Sequence, residues 1–303
     1  MKKTIKKIRG IVPPVITPLN QDGSLDVKGL ETLLEHIIGG GVHGLFILGT
    51  TGEGPALGIH RQKEMIRETM RINNGRLPVL VGISNAALQD TLEVADYAAE
   101  CNADGLVCAP PSYFMPGDAE LVNYFQYVAS NVKLPLFLYN MPSMTKINMK
   151  PALVKRLAEI PNIHGYKDSS GSMCDLHEVI IALKDREDFS IFVGPEELLG
   201  ESVVFGADGG VSGGANLNPG LFVAMFNAAE KGDLHEMQKL QQEIYQQRKL
   251  YSIGHYQSSI IKGIKCALSL KGICQDTMCS PFEAFKEAER NQVKSILETL
   301  QDR

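Results

Sequence analysis

A single lysine closes the apolar run of "IHGYKDSS", residues 163–170, which otherwise reads as a buried strand. Burying an unpaired charge costs several kcal/mol, so Lys167 asks for a chemical reason. Desolvation that lowered the amine from ~10.4 to ~7.5 would cost roughly 4 kcal/mol, at about 1.4 kcal/mol per pKa unit. In return the chain gains a neutral amine, a nucleophile toward ketones. Such an amine forms a Schiff base that serves as an electron sink for carbon–carbon bond chemistry. The alternative is a stem lining the strand whose head snorkels to water or pairs with Asp168. Position alone leaves both open.

Two further stretches supply partners for that chemistry. Tyr139 ends the run "PLFLYN", and a phenol held near Thr50 can pass a proton to and from a substrate oxygen. A rim aromatic with a locally satisfied hydroxyl is the other fate of such a tyrosine. "LGTTGEGP", residues 48–55, places Thr50, Thr51 and several free backbone N–H groups at a strand-to-helix turn. Such a turn makes a carboxylate cradle, with Gly49 and Gly52 among its contacts, or it is simply a glycine-rich connection. The spacing of Gly49, Gly52 and Gly54 is not that of a dinucleotide fingerprint, and no P-loop lysine follows. Ser169, Gly194, Glu196, Glu197, Val211 and Gly213, which follow other apolar runs, complete the candidate substrate contacts.

Other chemistries fit less well. "GVSGG" matches a nucleophile-elbow pattern around Ser212, but His235 and His255 both lie in helical patterns rather than at later strand ends. The seven histidines show neither HExxH nor clustered spacing with cysteine, which argues against zinc. Glu196 and Glu197 could hold a divalent ion, although adjacent rim carboxylates are usually just solvated.

These candidates need a frame that brings strand ends together. Short β-branched runs alternate with amphipathic segments at the spacing of βα units. The runs are "GIVPPVITP", "GLFILGTT", "PVLVGIS", "GLVCAPP", "PLFLYNMP", "IHGYKDSS", "FSIFVGPE" and "GADGGVSGG". Eight strands close a (β/α)8, or TIM, barrel, whose active site lies at the C-terminal strand ends. An open doubly wound sheet has the same alternation but no preference for eight. "GLETLLEHIIGGG" puts Leu30, Leu33, Leu34, Ile37 and Ile38 on one helical face. In "SNAALQDTLEVADYAAECNADG" Ser84 or Asn85 is the expected cap. No linker divides the chain, so one domain is expected, a barrel over residues 1–220 and an added helical extension over 221–303.

Composition narrows the partners. The chain has 303 residues, 30 basic and 35 acidic, for a formal charge of −5, without a basic stripe beyond the first nine residues. That excludes a nucleic-acid footprint and leaves a small molecule as the expected ligand. No stretch reads as an export signal or a bilayer span. The six cysteines are scattered without a CxxC pair, which suits a cytoplasmic protein with reduced thiols.

With "GTTGE" at 49–53, "YNMP" at 139–142, "GYKDSSG" at 165–171 and "GADGG" at 206–210, in that order, the sequence resembles the dihydrodipicolinate synthase and N-acetylneuraminate lyase superfamily along nearly its whole length. The resemblance implies a barrel, usually a homotetramer, in which Lys167 forms a Schiff base with pyruvate or another 2-oxo acid and no metal or organic cofactor takes part. By the same resemblance Tyr139 is the acid/base group, Thr50 the relay hydroxyl and Thr51 the carboxylate contact. Tyr113 of "PPSYFMP" completes the relay from a neighbouring subunit. Met144 stands where the synthases carry an arginine for the carboxylate of aspartate semialdehyde, with Lys146 as a possible substitute. Ser112 replaces the tyrosine associated with lysine feedback. Gly213 replaces a serine usual in sialic acid lyases, while Glu196 and Glu197 resemble their acidic pair for sugar hydroxyls. The pattern is therefore most similar to an aldolase or dehydratase acting on a 2-keto-3-deoxy sugar acid. Dihydrodipicolinate synthase, N-acetylneuraminate lyase and a non-catalytic 2-oxo acid sensor are the alternatives.

Overall fold

Each of the eight apolar runs forms one parallel strand: β1 (Gly10–Ile11), β2 (Leu45–Ile47), β3 (Val79–Gly82), β4 (Gly105–Cys108), β5 (Leu136–Asn140), β6 (Ile163–Asp168), β7 (Ser190–Val193) and β8 (Gly209–Gly210). They pair in sequence order, with β1 beside β8. Pro13 and Pro14 break the pairing between β1 and β2, since proline has no N–H to give. The seam is closed instead by a bridge at Pro14 and Phe46, with Val15 N donating to Phe46 O at 2.8 Å and Phe46 N to Pro13 O at 3.0 Å. This computed structural model describes residues 6–300, so the first residues of the basic start and the last three residues lie outside it.

Strand alternation explains which side chains face the barrel axis. Leu45 and Ile47, Val79 and Val81, Leu106 and Cys108, Leu136 and Leu138, and Ile191 and Val193 belong to the outer core beneath the helices. The residues between them, Phe46, Leu80, Val107, Phe137 and Phe192, form a separate inner cluster with Ile8, Val12, Tyr139 and Val211. In register, Tyr139 of β5 lies beside Lys167 of β6, which lies beside Phe192 of β7. The lysine therefore shares the parity of the inward-facing row. At β8 the backbone of Gly209 adopts φ +152°, and a Cβ there would come within 1.9 Å of Gly10 O. Only glycine fits where the ring closes.

The helices are α1 (Val27–Gly39), α2 (Ile59–Asn73), α3 (Leu88–Glu100), α4 (Asp118–Asn131), the short α5 (Pro142–Thr145), α6 (Pro151–Ala158), α7 (Met173–Ala182), α8 (Leu199–Val204), α9 (Pro219–Lys231), α10 (Leu234–Arg248), α11 (Ser259–Leu270) and α12 (Glu287–Leu297). In α1 the predicted face is buried at Leu30, Leu33, Leu34 and Ile37, and Asp26 caps its first turn by accepting from Gly29 N. α9 packs on β1 and α8, so it still belongs to the ring, and the helices beyond the ring begin at Leu234.

Two local expectations differ. α3 starts at Leu88, behind Ala87, and neither Ser84 nor Asn85 caps it. Ser84 Oγ instead accepts from Ala109 N at 2.8 Å, and Asn85 exchanges hydrogen bonds with the side chain of Gln62. His255 lies in the turn before α11, not in a helix.

Candidate active site

Lys167 is 6% exposed. Its Nζ lies 4.0 Å from the ring centroid of Tyr139 and 5.0 Å from that of Phe46, faces that attract a cation. The pairing with Asp168 considered above is not made, because neighbouring strand residues point to opposite sides. Asp168 faces outward, where Oδ1 accepts from Asn140 Nδ2 at 2.9 Å and Tyr166 Oη at 3.0 Å, and Oδ2 from Ser170 Oγ at 2.8 Å. That shell holds Tyr166 well above the ordinary phenol range, through burial first and the adjacent carboxylate second.

Tyr139 behaves differently. Burial alone would raise its phenol, but the Lys167 charge, followed by hydrogen bonds with Thr50, Lys167 and Ser169, brings it below its ordinary value. Thr50 Oγ1 lies 3.2 Å from Tyr139 Oη. Amine and hydroxyl thus both adjoin the phenol, and the lowered phenol can exchange a proton with the amine beside it.

The threonine turn is held tightly. Glu53 N donates to Thr50 O at 3.0 Å, Gly54 N to Gly49 O at 3.2 Å, and Thr17 Oγ1 to Gly52 O at 2.6 Å. Leu48 and Glu53 bracket it in the left-handed region, at φ 59° and 57°. Neighbouring candidates gather around it. A Cβ on Gly213 would lie 3.9 Å from Thr51 Oγ1, and one on Gly194 would lie 2.0 Å from Ser169 Oγ. Gly194 thus leaves the room in which Ser169 sits, and Val211 packs in the inner cluster with Tyr139.

Above this floor opens a cavity of about 920 Å³, within the range of small-molecule sites. Phe46, Gly49, Thr50, Val107, Tyr139 and Met144 line it from the barrel, and Tyr256, Ile261, Lys262, Met278 and Phe282 from the C-terminal segment. Lys262 is a residue that sequence reasoning missed. Lys146, the expected substitute for arginine, instead donates to its own loop at Ser143 O, 2.7 Å away.

Glu196 and Glu197 depart from the expected sugar contacts. Glu196 is 4% exposed. Its Oε2 accepts from Gly214 N at 2.7 Å and its Oε1 from Tyr251 Oη at 2.8 Å. Desolvation raises this carboxyl to about 7 against the two hydrogen bonds that lower it. Glu197 pairs with Arg248 Nη2 at 2.9 Å. Both face the helical extension, whose cover the strand-end pattern does not reveal. Tyr113 is 87% exposed and its ring packs against Phe114, and the Thr50–Tyr139 hydrogen bond forms without it. Among the described residues no group of three or more His, Cys, Asp or Glu could hold a metal ion, and no helix is long and apolar enough to cross a membrane.

Comparison with known proteins gives this arrangement a context. Residues 7–300 match the model of the dihydrodipicolinate synthetase family. A protein of Escherichia coli K12 named "Probable 2-dehydro-3-deoxy-D-pentonate aldolase" is 33% identical, over 94% of this chain and 95% of its own length. A 4-hydroxy-tetrahydrodipicolinate synthase of Methanoculleus marisnigri is 31% identical, over 95% and 98%. The solved structure of a dihydrodipicolinate synthase from Bacteroides thetaiotaomicron superposes with a TM-score of 0.95 at 47% identity, covering 98% of this chain and 100% of that one. With eight parallel strands and a lysine–tyrosine–threonine site at their ends, the chain belongs to the dihydrodipicolinate synthetase family and is a carbon–carbon lyase.

Proposed function

We propose that this enzyme joins pyruvate to an aldehyde, or reverses that step, through a Schiff base on Lys167, with a 2-keto-3-deoxy sugar acid as the condensed compound. The observation that carries the reading is the Lys167 amine 4.0 Å from the Tyr139 ring, whose hydroxyl is 3.2 Å from Thr50. Neutral Lys167 Nζ attacks the keto carbon of pyruvate, and the carbonyl oxygen takes a proton from Tyr139. The resulting carbinolamine loses that oxygen as water, leaving an iminium. Loss of a methyl proton gives the enamine, whose terminal carbon bonds to the aldehyde carbon while the aldehyde oxygen is protonated. Water then adds to the iminium and releases a 4-hydroxy-2-oxo acid and free Lys167. Tyr139 and Thr50 carry the protons, and the Thr50–Thr51 turn receives the pyruvate carboxylate. No other cofactor enters the scheme.

The sugar-acid reading is supported by Met144 on the cavity wall and by neutral polar groups there, Ser112, Gln257 and Ser258, suited to hydroxyls. Lys262 favours a second reading, condensation with aspartate semialdehyde, because it could hold a carboxylate at the far wall. Large apolar side chains are exposed at Tyr113, Phe114 and Met115, consecutive in one loop, and at Ile181, Val204, Phe205 and Leu234. Exposed apolar side chains of this kind favour association, and we infer a tetramer built as a dimer of dimers. In that assembly a neighbouring subunit's copy of Tyr113 completes the relay at Thr50. We place the enzyme in the cytoplasm, where its six free cysteines stay reduced.

Incubation with pyruvate and borohydride should add one pyruvate-derived mass to the Lys167 peptide. A folded protein that never acquires it ends the reading. A panel of aldehydes with pyruvate then separates the two substrates: turnover of hydroxylated aldehydes supports the sugar acid, and turnover of aspartate semialdehyde alone supports the synthase.

A further inference from the structure

Glu53 lines the cavity and looks like a substrate contact, yet both of its carboxylate oxygens are engaged within the protein. Oε1 pairs with Lys265 Nζ, and Oε2 accepts from Cys279 N at 2.8 Å. Lys265 Nζ also donates to Thr277 O at 2.7 Å. Glu53 is 5% exposed and Lys265 is completely buried. One end of this pair is the last residue of the threonine turn, whose own N–H closes on Thr50 O. The other end lies on α11, one turn from the cavity-lining Lys262, while Thr277 and Cys279 flank Met278 on the same wall.

A buried ion pair is weak as a source of stability, because apolar residues of similar volume often do as well. What it supplies is direction. One carboxylate oxygen is ion-paired with Lys265 of α11 and the other accepts from Cys279 N, and so the pair fixes where the left-handed Glu53 backbone, and with it the turn, sits relative to α11.

We propose that Glu53 and Lys265 are positioning residues that clamp the Thr50–Thr51 turn in register to receive the carboxylate of the 2-oxo acid. This rests on the reading of that turn as the pyruvate cradle. Neither residue touches the reacting atoms. Releasing the clamp should therefore weaken occupancy by pyruvate without removing the chemistry of Lys167 and Tyr139.

The test is borohydride capture of pyruvate on the full-length protein, titrated against pyruvate concentration, with melting temperature measured alongside. The double variant Glu53→Gln/Lys265→Met removes both charges together and avoids stranding either one. Its half-saturating pyruvate concentration should rise about tenfold or more, while the fraction captured at saturation stays at the parent level. Glu53→Gln alone keeps the shape and the acceptor for Cys279 N, and should move half-saturation in the same direction. A purely structural pair would lower the melting temperature and leave half-saturation alone. If both variants capture pyruvate within about twofold of the parent concentration, the clamp is refuted. If the unaltered protein captures no pyruvate, the failure belongs instead to the Schiff-base reading.

Discussion

The ends of β6 and β7 read alike in sequence, each an apolar run closing on charge, but the fold gives them opposite roles. Lys167 sits against Tyr139 and Phe46, both of which line the cavity. Glu196, beyond β7, is sealed by Tyr251 and Gly214, and Glu197 is held by Arg248 of α10. What differs is the cover. The helices after the ring come down over the end of β7, whereas over the ends of β2 to β5, beside Lys167, a cavity of about 920 Å³ is left open. A place at the C-terminal end of a barrel strand makes a polar residue a candidate, and what lies above it decides between chemistry and structure.

The sharpest way to break this comparison is at the open end. Lys167→Ala removes the nucleophile, so turnover should fall on the order of 10⁴-fold or more and the borohydride adduct should vanish, with folding monitored by circular dichroism. Residual pyruvate capture on the folded variant would place the nucleophile elsewhere. Tyr139→Phe keeps the ring face over the amine but removes the proton carrier. A loss on the order of 10²-fold is expected in the rate of adduct formation, with the adduct still forming on Lys167. An unchanged rate would show that another group, or water, carries the proton.

A smaller effect belongs to the far wall. Lys262→Met keeps the length of the stem and removes the charge. The KM of an aldehyde bearing a distal carboxylate or phosphate should rise about tenfold, with that of a neutral hydroxyaldehyde unchanged. Equal changes in both would mean that Lys262 shapes the wall without reading charge.

The strand ends were legible because alternation alone sets parity. Phe137 and Tyr139 had to face one way and Leu136 and Leu138 the other, and Lys167 follows from its neighbour in register. The cover was not legible, because it is made by contacts distant in sequence. Tyr251 is 55 residues from Glu196, and Cys279 is 226 from Glu53. No local pattern around "GTTGE" announces that its glutamate is bound to α11. Ser84 and Asn85 failed as caps for the same reason, since tertiary partners at Ala109 and Gln62 took the side chains that a local motif would have used.

The closed end yields the smallest effect on catalysis and one of opposite sign on stability. Desolvation holds the Glu196 carboxyl at about 7, against an ordinary 4.5, so the fold prefers its protonated form. Between those values the folded chain binds more protons than the unfolded one, and stability falls as pH rises. Above about pH 7 the fold carries a buried carboxylate at a cost of roughly 3 kcal/mol, at about 1.4 kcal/mol per unit. Glu196→Gln is neutral throughout. Its amide oxygen can accept from Gly214 N, and its NH2 can donate to the Tyr251 hydroxyl, which serves as acceptor as well as donor. Thermal melts from pH 4 to 9 should therefore show this variant more stable than the parent at pH 8, with a flatter profile between about 4.5 and 7. Its turnover at saturating substrate should stay within about twofold. A variant less stable at pH 8, or one with a crippled rate, would mean that the carboxylate form of Glu196 is needed and that the end of β7 is less sealed than its hydrogen bonds indicate.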